Sequence, residues 1–221
     1  MDEYKILEIK ESVFADNDRE ADALRASLKE RGQFLLNLMS SPGSGKTTTL
    51  GRTIEALRDE LALAVMEADI DSDVDAAAIA KLGAKTIQLH TGGMCHLDAG
   101  MCAQGLEGLA ADDADLVFLE NVGNLVCPTD FDLGENAKVM ILSVPEGDDK
   151  PLKYPGVFQA AKVVILNKVD TMPVFNFDRE AFDASVRQLN PQAPIFPIAA
   201  TKCEGVEEWA TWLAEQIRAI Q

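Results

Sequence analysis

The chain has 221 residues, 47% of them hydrophobic, and sets 37 acidic against 20 basic side chains for a formal charge of −17. That length suits one medium domain with a single sizeable core; the charge disfavours a phosphate-backbone ligand such as nucleic acid, and no apolar stretch approaches the roughly 20 residues of a membrane span. The opening Met1-Asp2-Glu3-Tyr4-Lys5 lacks the basic region and apolar run of a secretion signal, so a cytoplasmic protein with no membrane partner is expected, its four cysteines being thiols or metal ligands rather than disulfides.

Residues 1–32 read as an N-terminal arm and helix, the helix over Asp16 to Arg31 and an arm or edge segment before it; residues 33–221 read as the main domain. The first buried strand, Phe34 to Met39, runs into Ser40-Ser41-Pro42-Gly43-Ser44-Gly45-Lys46-Thr47, and an amphipathic helix follows over Thr47 to Leu61. Strand, glycine-rich loop and helix in that order form a P-loop. Gly43, Ser44 and Gly45 let backbone N–H groups turn around a β-phosphate, the helix N-terminus favours negative charge, Lys46 reaches the β/γ oxygens, Thr47 ligates Mg²⁺, and Thr48 is a further candidate for nucleotide binding. The strict pattern has glycine where Ser40 stands, a small residue that still permits the turn.

A second strand, Leu63 to Glu67, leads through Asp69 into the acidic run Asp69-Ile70-Asp71-Ser72-Asp73-Val74-Asp75 and a helix over Asp75 to Leu82. Asp69 and Asp75 are candidates for magnesium or for orienting an attacking water, whereas Asp71 and Asp73 read as solvated. After the strand Thr86 to Leu89 comes His90-Thr91-Gly92-Gly93-Met94-Cys95-His96-Leu97-Asp98-Ala99, and after the strand Leu116 to Glu120 comes Asn121-Val122-Gly123-Asn124-Leu125-Val126-Cys127-Pro128. Glu120, at the end of its strand, is the expected magnesium carboxylate, and the Gly123 N–H is placed to sense a γ-phosphate. Thiolate and imidazole suit Ni²⁺ and Zn²⁺, so Cys95, His96 and Cys127 make three ligands with one position open. On spacing alone the alternative stands that these cysteines are buried and unliganded, since no C-x-x-C pair is present. Cys102 is a poorer ligand, and Cys203 and His90 read as structural.

Strands follow at Val139 to Ser143, Val163 to Asn167 and Ile195 to Ile198, with helices at Arg179 to Leu189 and Val206 to Ile220. Short unbroken apolar runs alternating with amphipathic stretches predict an α/β fold, a mostly parallel seven-stranded sheet with helices on both faces. Asn167-Lys168-Val169-Asp170 selects the base: the Asp170 carboxylate accepts from guanine N1–H and the N2 amine, donors adenine lacks there, while Lys168 lies over the purine and Asn167 ties the loops together. Ala200 and Thr201 stand where a small-residue loop meets the guanine O6. GTP and GDP are the expected ligands, with Lys46, Asp69, Asp75 and Glu120 as the catalytic set.

These segments resemble one known family, the hydrogenase nickel-insertion GTPases called HypB, relatives of the urease accessory GTPase. The resemblance runs from Gln33 onward and is carried by the P-loop, the segment through Cys95-His96, the Glu120 to Pro128 run and Asn167 to Asp170. It implies GTP-dependent homodimerisation, metal held by Cys95, His96 and Cys127 near the dimer interface, and nickel delivery to a hydrogenase large-subunit precursor with a HypA-type partner; slow hydrolysis of GTP is expected because no catalytic arginine or glutamine is identifiable. Lacking a cysteine-rich N-terminal motif and a histidine-rich stretch, the chain is expected to relay metal rather than store it. The competing readings are a urease-type metallocentre GTPase and a regulatory GTP-binding switch.

Overall fold

The computed structural model describes residues 9–69 and 74–220, and of residues 9–13, 74 and 75 the backbone alone. Seven strands, β1 (Phe34–Ser40), β2 (Leu63–Asp69), β3 (Lys85–His90), β4 (Leu116–Glu120), β5 (Ala137–Ser143), β6 (Val163–Asn167) and β7 (Ile195–Ile198), form one sheet in the order β3-β2-β4-β1-β5-β6-β7. Every pairing is parallel. A parallel sheet needs both faces covered, and β1, β4 and β6 accordingly consist of buried residues throughout.

The covering helices are α1 (Ile9–Arg31), α2 (Lys46–Leu57), α3 (Val74–Ala80), α4 (Ala99–Leu109), α5 (Cys127–Asp130), α6 (Lys150–Lys153), α7 (Pro155–Ala160), α8 (Arg179–Leu189) and α9 (Val206–Arg218). Alternation along β1 divides the core: Phe34, Leu36 and Leu38 face a cluster with Leu50 and Ile54 of α2 and Trp209 and Leu213 of α9. Leu35 faces the opposite side, with Leu24 and Leu28 of α1 and Cys102 and Leu109 of α4. Beneath α7 and α8, Phe158 and Phe182 close a third cluster with Met140, Leu142 and Val164.

The structure departs from the sequence expectations at the N-terminus and at α4. The segment expected as an arm before Asp16 is helical from Ile9; neither glycine nor proline interrupts residues 9–31, and Phe14 packs on Phe131 with ring centroids 5.2 Å apart. Residues 1–8 and the acidic loop 70–73, with Asp71 and Asp73, lie outside the described residues. Helix α4 was not expected, because Gly100, Gly105 and Gly108 depress its helix propensity. The fold offsets this by docking α4 on β2 and β3, where a side chain at Gly105 would meet Leu89 and Met66. Among the described residues no helix is long and apolar enough to cross a membrane.

Candidate functional site

The P-loop rises from the C-terminal end of β1 between β4 and β5, so residues at the ends of these strands converge on it. Lys46 Nζ lies 3.1 Å from Glu120 Oε1, and Thr47 Oγ1 donates to the same oxygen at 2.8 Å. The other carboxylate oxygen, Glu120 Oε2, is buried without a hydrogen-bond partner, as is Ser44 Oγ in the loop. Glu67 of β2 is in register with Glu120 and also buried, so two carboxylates stand on adjacent strands on the same face. Asp69, two residues on, shares that face at the strand end. The Thr47 hydroxyl beside the Glu120 carboxylate, with Oε2 left unpartnered, offers hard oxygen donors that suit a divalent cation such as Mg²⁺. Asp75 lies in the first turn of α3, with its side chain outside the described residues, and Thr48 is exposed on the first turn of α2.

The residues expected to hold the base meet the P-loop directly. Asn167 Nδ2 donates to the Ser44 carbonyl at 2.9 Å, and its Oδ1 accepts from the Ala200 N–H at 3.3 Å, so one buried amide ties three loops together. Gly45 has φ of 90°, and a Cβ there would stand 2.4 Å from Asn167 Nδ2; no other residue fits between them. Lys168, in the left-handed region at φ 57°, sends its ammonium to the Gly43 carbonyl at 2.7 Å. A left-handed non-glycine residue is a strained conformation held by its surroundings. Asp170 pairs with Lys202 at 3.2 Å, beside the exposed Thr201.

The thiols form a second centre. Cys95 Sγ, a His96 ring nitrogen and Cys127 Sγ all lie within 4.8 Å of one another, the two sulfurs 3.0 Å apart. Asn124 Nδ2 donates to the Cys95 carbonyl at 3.3 Å, holding the two contributing segments together. The hydrogen bond to Cys127 raises the Cys95 thiol above its ordinary pKa, assisted by desolvation. Cys102 is fully buried, and burial pushes its thiol well up, with Glu135 and Asp98 adding to the shift; it is core, not ligand. Cys203 and His90, read as structural, are exposed at a loop and a strand end and pack in no core cluster.

One segment joins the two centres. It starts at Glu120 beside Lys46, passes Gly123, where a Cβ would press 3.0 Å from Pro42 of the P-loop, and ends at Cys127. A buried polar chain that sequence reading missed supports it from below: Glu135 Oε1 accepts from Asn37 Nδ2 at 3.0 Å, and Asn37 Oδ1 accepts from Asn121 Nδ2 at 3.2 Å. The cue for Asn37 was a lone amide inside an apolar strand. Glu146 was missed as well; it accepts from the Ser41 hydroxyl and, at 2.8 Å, from the Ser143 N–H, fixing the loop after β5 against the P-loop. Asn37→Leu should lower stability by roughly 2–4 kcal/mol in urea unfolding, since Glu135 and Asn121 each lose a buried partner. A change within about 0.5 kcal/mol, the range of an ordinary surface substitution, would deny the chain that supporting role.

Fold and site together define a P-loop nucleotide-binding protein of the GTPase type. Comparison with known proteins narrows this class. The family model described as CobW/HypB/UreG, nucleotide-binding domain, matches residues 34–197. The hydrogenase maturation factor HypB of Escherichia coli K12 is 49% identical over 98% of this chain and 74% of its own length. Two solved structures agree: HypB from Helicobacter pylori in complex with nickel (TM-score 0.88, 38% identity, 92% of this chain and 96% of that one), and the hydrogenase maturation factor HypB from Archaeoglobus fulgidus (TM-score 0.86, 39% identity, 92% and 99%). The chain belongs to the HypB family of hydrogenase maturation factors.

Proposed function

We propose that this chain is a GTP-hydrolysing metallochaperone that delivers nickel during maturation of the nickel-iron hydrogenase metallocentre. The observation that carries the reading is the convergence of Cys95, His96 and Cys127 at the far end of the segment that begins at Glu120. Two thiolates and an imidazole are soft and borderline donors that take Ni²⁺ or Zn²⁺ and leave a position open, as a relay requires.

In this reading residues 33–221 are the GTPase domain and residues 1–32 its N-terminal extension. Gly43, Ser44, Gly45, Lys46, Thr47 and Thr48 hold the phosphates; Asn167, Lys168, Asp170, Ala200 and Thr201 hold the guanine. Thr47, Glu120 and Asp75 would hold Mg²⁺, which when bound neutralises phosphate charge and orients the β- and γ-oxygens. The Lys46 ammonium stabilises charge on the transferred group, Asp69 and Asp75 orient water, and Gly123 answers the γ-phosphate through its N–H. Turnover is slow, because the segments 69–75 and 120–127 contain neither arginine nor glutamine to complete the charge stabilisation.

A shift at Gly123 is transmitted along four residues to Cys127, so the nucleotide state sets the geometry of the metal ligands and the affinity for a second copy of the chain. The working form is a GTP-dependent homodimer in the cytoplasm, receiving nickel from a HypA-type partner and passing it to the hydrogenase large-subunit precursor.

Nickel titration of the protein loaded with GDP or a non-hydrolysable GTP analogue, for native chain and Cys127→Ala, tests this. One tight site whose affinity changes with the nucleotide and falls at least about a hundredfold in Cys127→Ala is expected, with the molecular mass doubling in the GTP-analogue state. Nucleotide binding with no cysteine-dependent metal site would leave a regulatory GTP switch in its place.

A further inference from the structure

The N-terminal helix touches both segments that carry the thiol centre. Phe14, Asn17, Ala21 and Arg25 of α1 follow one helical stripe. Phe14 packs on Phe131 (centroids 5.2 Å), and Phe131 stacks on the His96 ring at 4.1 Å and an interplanar angle of 22°. Asn17, itself only 5% exposed, bridges the two ligand-bearing segments: its Oδ1 accepts from the Ala99 N–H at 2.9 Å, and its Nδ2 donates to the Asp132 carbonyl at 2.8 Å. Ala99 lies three residues beyond His96, and Asp132 five beyond Cys127. Arg25 Nη2 holds the Asp132 carboxylate at 2.6 and 2.7 Å, and the same carboxylate accepts from the Gly134 N–H at 2.9 Å.

Each of these contacts acts on a degree of freedom the thiol centre needs fixed. The Ala99 N–H is one of the unsatisfied donors at the start of α4, and Asn17 satisfies it from outside the helix, anchoring the end of the Cys95-His96 loop. The Asp132 contacts anchor the chain just past Cys127. With both anchors on one side chain, the spacing of the two sulfurs is set by a rigid helix rather than by the loops alone. Leu24 and Leu28, further along α1, root that helix in the core. The aromatic stack restrains the plane of the imidazole, which decides where its nitrogen lone pair points.

We infer that α1 is a built-in clamp for the metal centre, with Asn17 and Phe14 as positioning residues that pre-set the spacing of Cys95 and Cys127 and the orientation of His96 for a borderline divalent cation such as Ni²⁺. The inference rests on the proposed reading of that centre. Partners outside the ligand shell orient the ligands themselves, and their loss typically lowers metal affinity about 10- to 100-fold.

The test is Ni²⁺ titration of the full chain, read by thiolate-to-nickel charge-transfer absorption and by competition with a chelator, for the native protein, Asn17→Leu, Asn17→Asp, Phe14→Ala and Cys127→Ala. Asn17→Leu should bind Ni²⁺ about tenfold more weakly with a shifted charge-transfer band, while GDP affinity stays within about twofold. Asn17→Asp, which keeps the acceptor for the Ala99 N–H, should regain part of the loss, and Phe14→Ala should weaken binding independently. Should Asn17→Leu not fold, Phe14→Ala at its half-buried position decides the matter. Native-like nickel affinity and spectrum in folded Asn17→Leu and Phe14→Ala would overturn the clamp while leaving the metal reading intact. A native protein without a Cys127-dependent site would remove the metal reading, and the clamp with it.

Discussion

Asp170→Asn should turn the protein from GTP toward xanthosine triphosphate. An ionised carboxylate accepts from both guanine N1–H and the N2 amine, and each hydrogen bond to a charged group is worth about 1.5–3 kcal/mol. The amide of the variant keeps one acceptor and turns a donor toward the N2 amine, so one bond is lost and a donor faces a donor. Xanthine has a carbonyl at that position and restores the match. The native Asp170 is 19% exposed and shares its charge with Lys202 at 3.2 Å, which places the loss near the lower end of the range, about tenfold in GTP affinity. Competition binding of GTP, xanthosine triphosphate and ATP to native and variant chains measures it. Unchanged GTP affinity in the variant would take Asp170 out of the base pocket, and Lys202 would then hold it for a purely structural reason.

The residues expected to form this pocket stand out in the sequence because of how their information is stored. The P-loop and the Asn167 to Asp170 run are contiguous, and each follows a strand buried on both faces, which sequence displays as an unbroken apolar run; the bounds of β4, β6 and β7 agree with those expected. The contacts between loops were not legible. Lys202 on Asp170, Asn37 between Glu135 and Asn121, and Glu67 in register with Glu120 are tertiary facts; the lone amide of Asn37 in an apolar strand signals a buried partner but not which residue it is. Helices α5, α6 and α7 were missed because four to six residues carry too little periodicity to register. Helix α1 was underestimated only at its start, where Phe14 packs on the loop residue Phe131 and adds no apolar periodicity toward the sheet.

Lys46→Met should leave a folded protein that hydrolyses GTP about 10²- to 10³-fold more slowly, the usual loss when one pre-aimed charge or donor is withdrawn from a site of developing negative charge. Methionine keeps the length and apolar volume of the stem, so the change isolates the ammonium. The substitution acts twice, because Lys46 also neutralises Glu120: with side chains only 13% and 4% exposed, the pair cannot be broken without leaving a buried carboxylate. Breaking such a pair typically costs about 3–5 kcal/mol, although Thr47 still donates to the same oxygen and softens the loss. Stability and turnover therefore separate the two roles. A variant that unfolds earlier in urea and also turns over slowly under single-turnover conditions, at GTP concentrations that saturate it, has lost both. If turnover per folded molecule at saturating GTP stays native, Lys46 serves the buried carboxylates and not the phosphates, and the charge that promotes hydrolysis must come from elsewhere along the P-loop.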